Sequence, residues 1–142
     1  MGYRFEFDRV NEILLARVEG RFTDELLADY YGAAQKYWSA TGPKKGILDL
    51  SSVTELALST DFVRQLANRE PVGDATATLR VIVAPTTLQF GLSRTFQTLS
   101  ERARPMLVVV HTIEEAYLVL GVQSPHFEPL EPPPSHSTDA II

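Results

Sequence analysis

Gly46-Ile47-Leu48-Asp49-Leu50 is the segment that decides the fold. It is short and nearly continuous in apolar residues, as expected of a strand buried on both faces. On its N-terminal side, Gly42-Pro43 is a helix stop signal. The helix it ends starts at Thr23, a capping residue followed by Asp24 and Glu25, whose charge suits a helix N-terminus. Leu26, Leu27, Tyr30, Tyr31, Ala34, Tyr37 and Trp38 recur along it at three- and four-residue steps and give one broad apolar face. Further upstream, Tyr3 to Phe7 alternates aromatic with charged residues, the period-two mark of a half-buried strand. A polar turn at Asp8 to Asn11 leads into a second strand, Ile13 to Val18, closed by Gly20 and antiparallel to the first.

Downstream of Leu50, a loop is expected, then a helix capped by Ser59 with Asp61 in its first turn and Phe62, Val63, Leu66 and Ala67 facing inward. Pro71 limits it. Leu79 to Ala84 is a third buried strand. Thr86 or Thr87 opens a helix carrying Leu88, Leu92, Phe96 and Leu99, and Met106 to Val110 is a last strand. Thr112-Ile113-Glu114-Glu115 is a capping box for a final helix that Gly121 ends. The order β-β-α-β-α-β-α-β-α predicts an α/β domain with a mixed sheet of about five strands, its later strands parallel and its opening hairpin antiparallel. This domain takes in residues 1–122. From Gln123 the chain is rich in proline, serine and threonine, so 123–142 is expected to be an extended or flexible tail that supplies no packed element. Ala140-Ile141-Ile142 at its end could dock on a neighbouring molecule or stay free.

A chain of 142 residues is long enough for one core. Its formal net charge of −5, with both signs interspersed, speaks against sequence-independent nucleic-acid binding, which needs a basic face. The absence of cysteine removes disulfides, thiolate nucleophiles and cysteine-containing metal sites, and suits a reducing compartment. With no signal-peptide pattern and no apolar run near the roughly 20 residues of a membrane span, a cytoplasmic location is expected. His111, His126 and His136 are not at metal-ligand spacing. No glycine-rich phosphate cradle and no nucleophile elbow is present, so no cofactor is implied and a binding or regulatory module is expected rather than an enzyme.

Three groups of residues are candidates for function. Asp49 is a carboxylate inside an apolar strand, where open α/β sheets place their ligand crevices. Its structural alternative is to accept backbone N–H groups at Ser51-Ser52 and so shape the turn. Tyr31, Trp38 and Phe96 could line a pocket for a small apolar ligand between the sheet and the first helix, or be ordinary core. Ser59, with Thr60 beside it, stands at a helix N-terminus, where a phosphate would meet free N–H groups and Asp61 would oppose it. Its structural alternative is a plain cap.

The stretch Ile47-Leu48-Asp49-Leu50-Ser51-Ser52 through Ser59-Thr60-Asp61-Phe62 resembles the central segment of STAS domains, the fold shared by bacterial anti-sigma-factor antagonists and the cytoplasmic part of sulfate transporters. In the antagonists an Asp-Ser-Ser-Gly sequence carries a phosphorylated serine. Here it falls on Ala57-Leu58-Ser59-Thr60, where only that serine survives. The resemblance covers residues 3 to about 121 and is closer to divergent STAS-like proteins, some grouped with lipid-binding Sec14-type domains. It implies a non-enzymatic module that binds a protein partner through the 50–62 region. The alternative is a carrier or sensor of a small lipid-like ligand, and a third reading is an enzyme using Asp49 with Arg94 or Arg102. Self-association as a homodimer is expected to use the generous apolar face of the first helix.

Overall fold

In the computed structural model, which describes residues 2–131, the elements run β1 (Tyr3–Asp8), β2 (Ile13–Thr23), α1 (Asp24–Thr41), β3 (Lys45–Ala57), α2 (Thr60–Ala67), β4 (Leu79–Val83), α3 (Thr87–Leu99), β5 (Leu107–Val110), α4 (Ile113–Leu120) and β6 (Glu128–Pro129). Local chemistry sets most of the boundaries. The hydroxyls of Thr23, Ser59, Thr86 and Thr112 accept the backbone N–H three residues on, and Thr86 and Thr112 form reciprocal capping boxes with Gln89 and Glu115. Gly42 and Gly121 end α1 and α4 in the left-handed conformation that glycine adopts without strain.

The strands form one mixed sheet in the order β5-β4-β3-β2-β1-β6. β1 is antiparallel to β2 and to β6, whereas β2, β3, β4 and β5 pair in parallel. Two-residue alternation divides the side chains between the faces. Ile13, Leu15, Ile47, Val81 and Val83 pack with Ala116 and Leu120 of α4. On the opposite face, Val18, Phe22, Leu50 and Ile82 pack with Leu27 of α1 and Leu66 of α2. Phe5, Leu14 and Ala16 pack on the same side against Ala34 and Tyr37 of α1. One face therefore carries three helices and the other a single short one. No helix among the described residues is long and apolar enough to cross a membrane.

The structure departs from the sequence expectation in two places. β2 and β3 continue beyond Val18 and Leu50, pairing as far as Thr23 and Ala57. Gly20 does not close β2. Its φ of 74° lies beside register shifts between Arg17 and Glu19 and between Gly20 and Arg21. Such bulges carry the strand onward while breaking the alternation by which a strand is recognised. The residues expected to form a loop after Leu50 are thus largely strand.

The second departure is β6. Phe127 stacks near Tyr117, with centroids 6.4 Å apart, and Leu130 joins the cluster around Phe5. The Leu130 N–H donates to the Phe5 carbonyl at 2.9 Å, and the His126 N–H donates to the Asp8 carboxylate at 3.1 Å. These anchors hold the start of the proline-rich segment against β1. Pro129, which has no N–H to give, is placed on the sheet edge, where that loss is tolerated. His136 and Ala140-Ile141-Ile142 lie outside the described residues.

Candidate functional site

The broad apolar face of α1 does not close completely onto the sheet. Between the sheet and the three helices on that face lies a cavity of about 160 Å³. Roughly 150 Å³ of apolar space is enough to hold a benzene molecule. Its walls are almost wholly apolar. Tyr30, Tyr31, Ala34 and Trp38 contribute from α1, Leu14, Ala16, Leu48 and Ile82 from the sheet, Val63 and Leu66 from α2, and Leu92 and Phe96 from α3. The three residues proposed from sequence as a pocket, Tyr31, Trp38 and Phe96, all line it. All seven apolar positions of α1 pack into the two clusters on this face, so the apolar surplus that suggested a dimer face is taken up by the chain itself.

Two cations stand in this apolar wall, and neither was singled out from the sequence. Arg80 projects from β4, its guanidinium carbon 4.4 Å from the centre of the Trp38 ring. Its Nε and Nη2 are buried and reach no hydrogen-bond acceptor among the described residues. Arg104, from the segment between α3 and β5, is also buried. It donates to the carbonyls of Ala67 and Arg69 and to the Tyr31 hydroxyl, each at 3.3 Å, and lies 4.9 Å from the Phe96 ring. Tyr31 in turn donates to the Glu70 carbonyl. Burial pushes the Tyr30 phenol up to about 12, with the Arg80 charge opposing the shift. Burial also lowers the pKa of Arg80, and the like charge of Arg104 acts in the same direction. The signal for Arg80 was present: a charge at the second position of an otherwise apolar strand, as at Asp49. Arg104 gave none, since it sits in the polar run Glu101-Arg102-Ala103-Arg104.

Asp49 lies on the other face of the sheet and belongs to a closed network. Its Oδ1 accepts the Ser51 N–H at 2.9 Å and the Ser51 hydroxyl at 2.6 Å, while its Oδ2 accepts Arg17 Nη1 at 2.9 Å. Arg17 Nε then reaches Glu6 at 3.1 Å, which also takes Arg4 Nε at 3.1 Å, and Arg4 Nη1 reaches Glu19 at 2.7 Å. Signs alternate across β1, β2 and β3, so each charge is neutralised by its neighbours. Asp49 thus accepts one backbone N–H, that of Ser51, as its structural alternative describes, but within a continuing strand rather than a turn, and it has a cation partner as well. Arg94 and Arg102 are exposed, and neither is the arginine bonded to Asp49.

Ser59 is exposed, and Thr60 follows it as the first residue of α2, exposed as well. The Ser59 hydroxyl accepts the Phe62 N–H at 3.1 Å and donates to Asp24 Oδ2 at 2.8 Å, while its backbone N–H donates to Asp24 Oδ1 at 2.9 Å. A phosphate at that oxygen would meet the Asp24 carboxylate directly. His111 stacks on Phe90 with ring centroids 4.0 Å apart, and His126 is exposed beside Glu128. Comparison with models of known protein families finds no match to this chain, and comparison with curated proteins finds none.

Proposed function

We propose that the protein binds a small, largely apolar molecule in the cavity between the sheet and α1, as a carrier or sensor. The observation that supports this most directly is the cavity itself: about 160 Å³ walled by Tyr31, Trp38, Phe96 and other apolar side chains, where a domain of this size would ordinarily close its core. An apolar lining with a few convergent polar groups is the usual constitution of small-ligand sites. The Sec14-like side of the STAS resemblance is compatible with this role, and the fold is of the α/β class with a mixed sheet. A regulatory module switched at Ser59 has the exposed hydroxyl in its favour, but Asp24 stands where the phosphate would go.

Native mass spectrometry of the protein isolated from its own source, before and after denaturation, tests the proposal. A small-molecule increment lost on denaturation is the expected result. Bare protein, together with a Trp38 fluorescence that fails to respond to hexan-1-ol, would count against a binding cavity. A covalent increment of one phosphate mapped to Ser59 would favour the regulatory reading instead.

A further inference from the structure

Four polar side chains line the cavity beside the tyrosines, Arg80, Gln89, Ser93 and Arg104, and the chemistry of Arg80 selects among apolar ligands. Nε and Nη2 of Arg80 form one edge of the guanidinium, the edge whose parallel N–H bonds fit a carboxylate or phosphate bidentately. Those are the two nitrogens that are buried and meet no acceptor among the described residues. No ion pair among the described residues includes Arg80 or Arg104. Asp74 attracts Arg80 from a distance, but its Oδ1 already accepts the Thr76 N–H at 3.1 Å and the Thr76 hydroxyl at 2.7 Å. Arg104 is bound only by neutral oxygens. Two cations in one apolar wall repel each other, and buried charge is normally paired. A chain with net charge −5 has carboxylates to spare, yet none among the described residues lines this cavity.

Building on the binding role proposed above, we infer that the ligand of this cavity is an amphiphile with a single anionic head, a carboxylate or phosphate. The head is held by the Nε–Nη2 edge of Arg80, and the short apolar tail lies against Trp38 and Phe96. The Trp38 ring, 4.4 Å from the guanidinium carbon, is a cation–π neighbour that adds no competing acceptor. Such a ligand brings both kinds of surface that this space lacks: carbon for the apolar walls and an acceptor for the orphaned nitrogens.

Trp38 is the only tryptophan in the chain and lines the cavity, so its fluorescence reports occupancy. Hexanoate, hexyl phosphate and hexan-1-ol share a tail and differ in the head, and titrating the full chain with each separates head from tail. One or both anions are expected to bind on the order of tenfold more tightly than the alcohol. The tighter of the two identifies the head chemistry. In Arg80→Met the affinities for anion and alcohol should converge. Equal affinity of all three for the unmodified protein would overturn the anionic-head inference while leaving the cavity role standing. Absence of binding by any of them would overturn both. A preference that survives in Arg80→Met would remove Arg80 as the recognising residue. Should that variant fail to fold, the comparison of heads on the unmodified protein still decides the inference.

Discussion

Replacing Ala34 by leucine adds three carbons to the cavity wall at a position one helical turn from Tyr30, Tyr31 and Trp38. Ala34 is itself buried, so the new side chain has only the cavity to enter. Enclosed space left unfilled by side chains forgoes about 24 cal/mol per Å³, so 160 Å³ corresponds to at most roughly 4 kcal/mol. Each CH₂ newly buried contributes about 0.8 kcal/mol, which puts the upper limit for leucine near 2.4 kcal/mol. Leucine and alanine differ little in helix propensity, so almost none of this is lost to the backbone. A net gain of about 1–2 kcal/mol is expected, read as a shift of the urea midpoint at unchanged slope, or as a rise in Tm of roughly 4 °C for each kcal/mol. The same variant should respond more weakly to six-carbon ligands. If the core is in fact closed, leucine overpacks it and costs about 1–3 kcal/mol instead. The sign of the change is therefore the test, and destabilisation by 1 kcal/mol or more would refute the cavity.

Other regions yield further expectations. Asp49→Ala removes the buried partner of a part-buried ion pair together with the two Ser51 bonds, and should cost about 3 kcal/mol in urea unfolding, less than a fully orphaned charge because Arg17 keeps Glu6. A change within 0.5 kcal/mol would show the network to be ornamental. Ser59→Ala should cost about 1 kcal/mol through the lost cap and the lost Asp24 bond, whereas Ser59→Asp should do worse than cap chemistry alone predicts, because it faces Asp24. Burial tends to raise the Asp8 carboxyl, but hydrogen bonds from Asn11, His126 and Val10 outweigh it and hold the pKa below its ordinary value. The stability this contributes is complete above the ordinary carboxylate pKa and is lost as pH falls through the lowered folded value. Asp8→Asn should flatten that acid limb of the stability curve, and an unchanged limb would disprove the assignment.

Elements governed by local chemistry were legible in the sequence. A hydroxyl three residues before the N–H it accepts is a local event, so Thr23, Ser59 and Thr112 could be read as caps without knowledge of the fold. The alternation of Tyr3 to Phe7 likewise announced its two faces: aromatics toward α1, and Arg4 and Glu6 in the charge network. What stayed hidden depends on distant partners. The second half of β3 is a strand because β2 runs alongside it past two bulges, and the segment 51–57 has no regular alternation of its own. β6 exists because β1 has a free edge and because Phe127 and Leu130 find apolar neighbours. The cavity was half legible. Helical spacing grouped the aromatics of α1, but whether such a face closes on the sheet or stops short depends on side chains from seven other elements. Arg80 and Arg104 become meaningful only once they share a wall.

That shared wall bears on why the core is built this way. An unfilled volume of this size forgoes at most roughly 4 kcal/mol, and a buried guanidinium edge without acceptors adds a further desolvation cost of about 1–3 kcal/mol or more. Together these are comparable to the lower end of the stability of an ordinary domain, about 5–15 kcal/mol. A single leucine at position 34 and a methionine at position 80 would recover part of it. Their absence is explained if the cavity is occupied in use, because a ligand that binds only the folded state adds RT ln(1 + [L]/Kd), about 2.7 kcal/mol at a hundredfold excess over Kd. The folded protein should accordingly gain Tm with rising hexanoate or hexyl phosphate, while Ala34→Leu, with part of the space taken up, should start higher and gain less. If both proteins gain equally, the stabilising site lies elsewhere on the molecule and the cavity is no more than a packing defect.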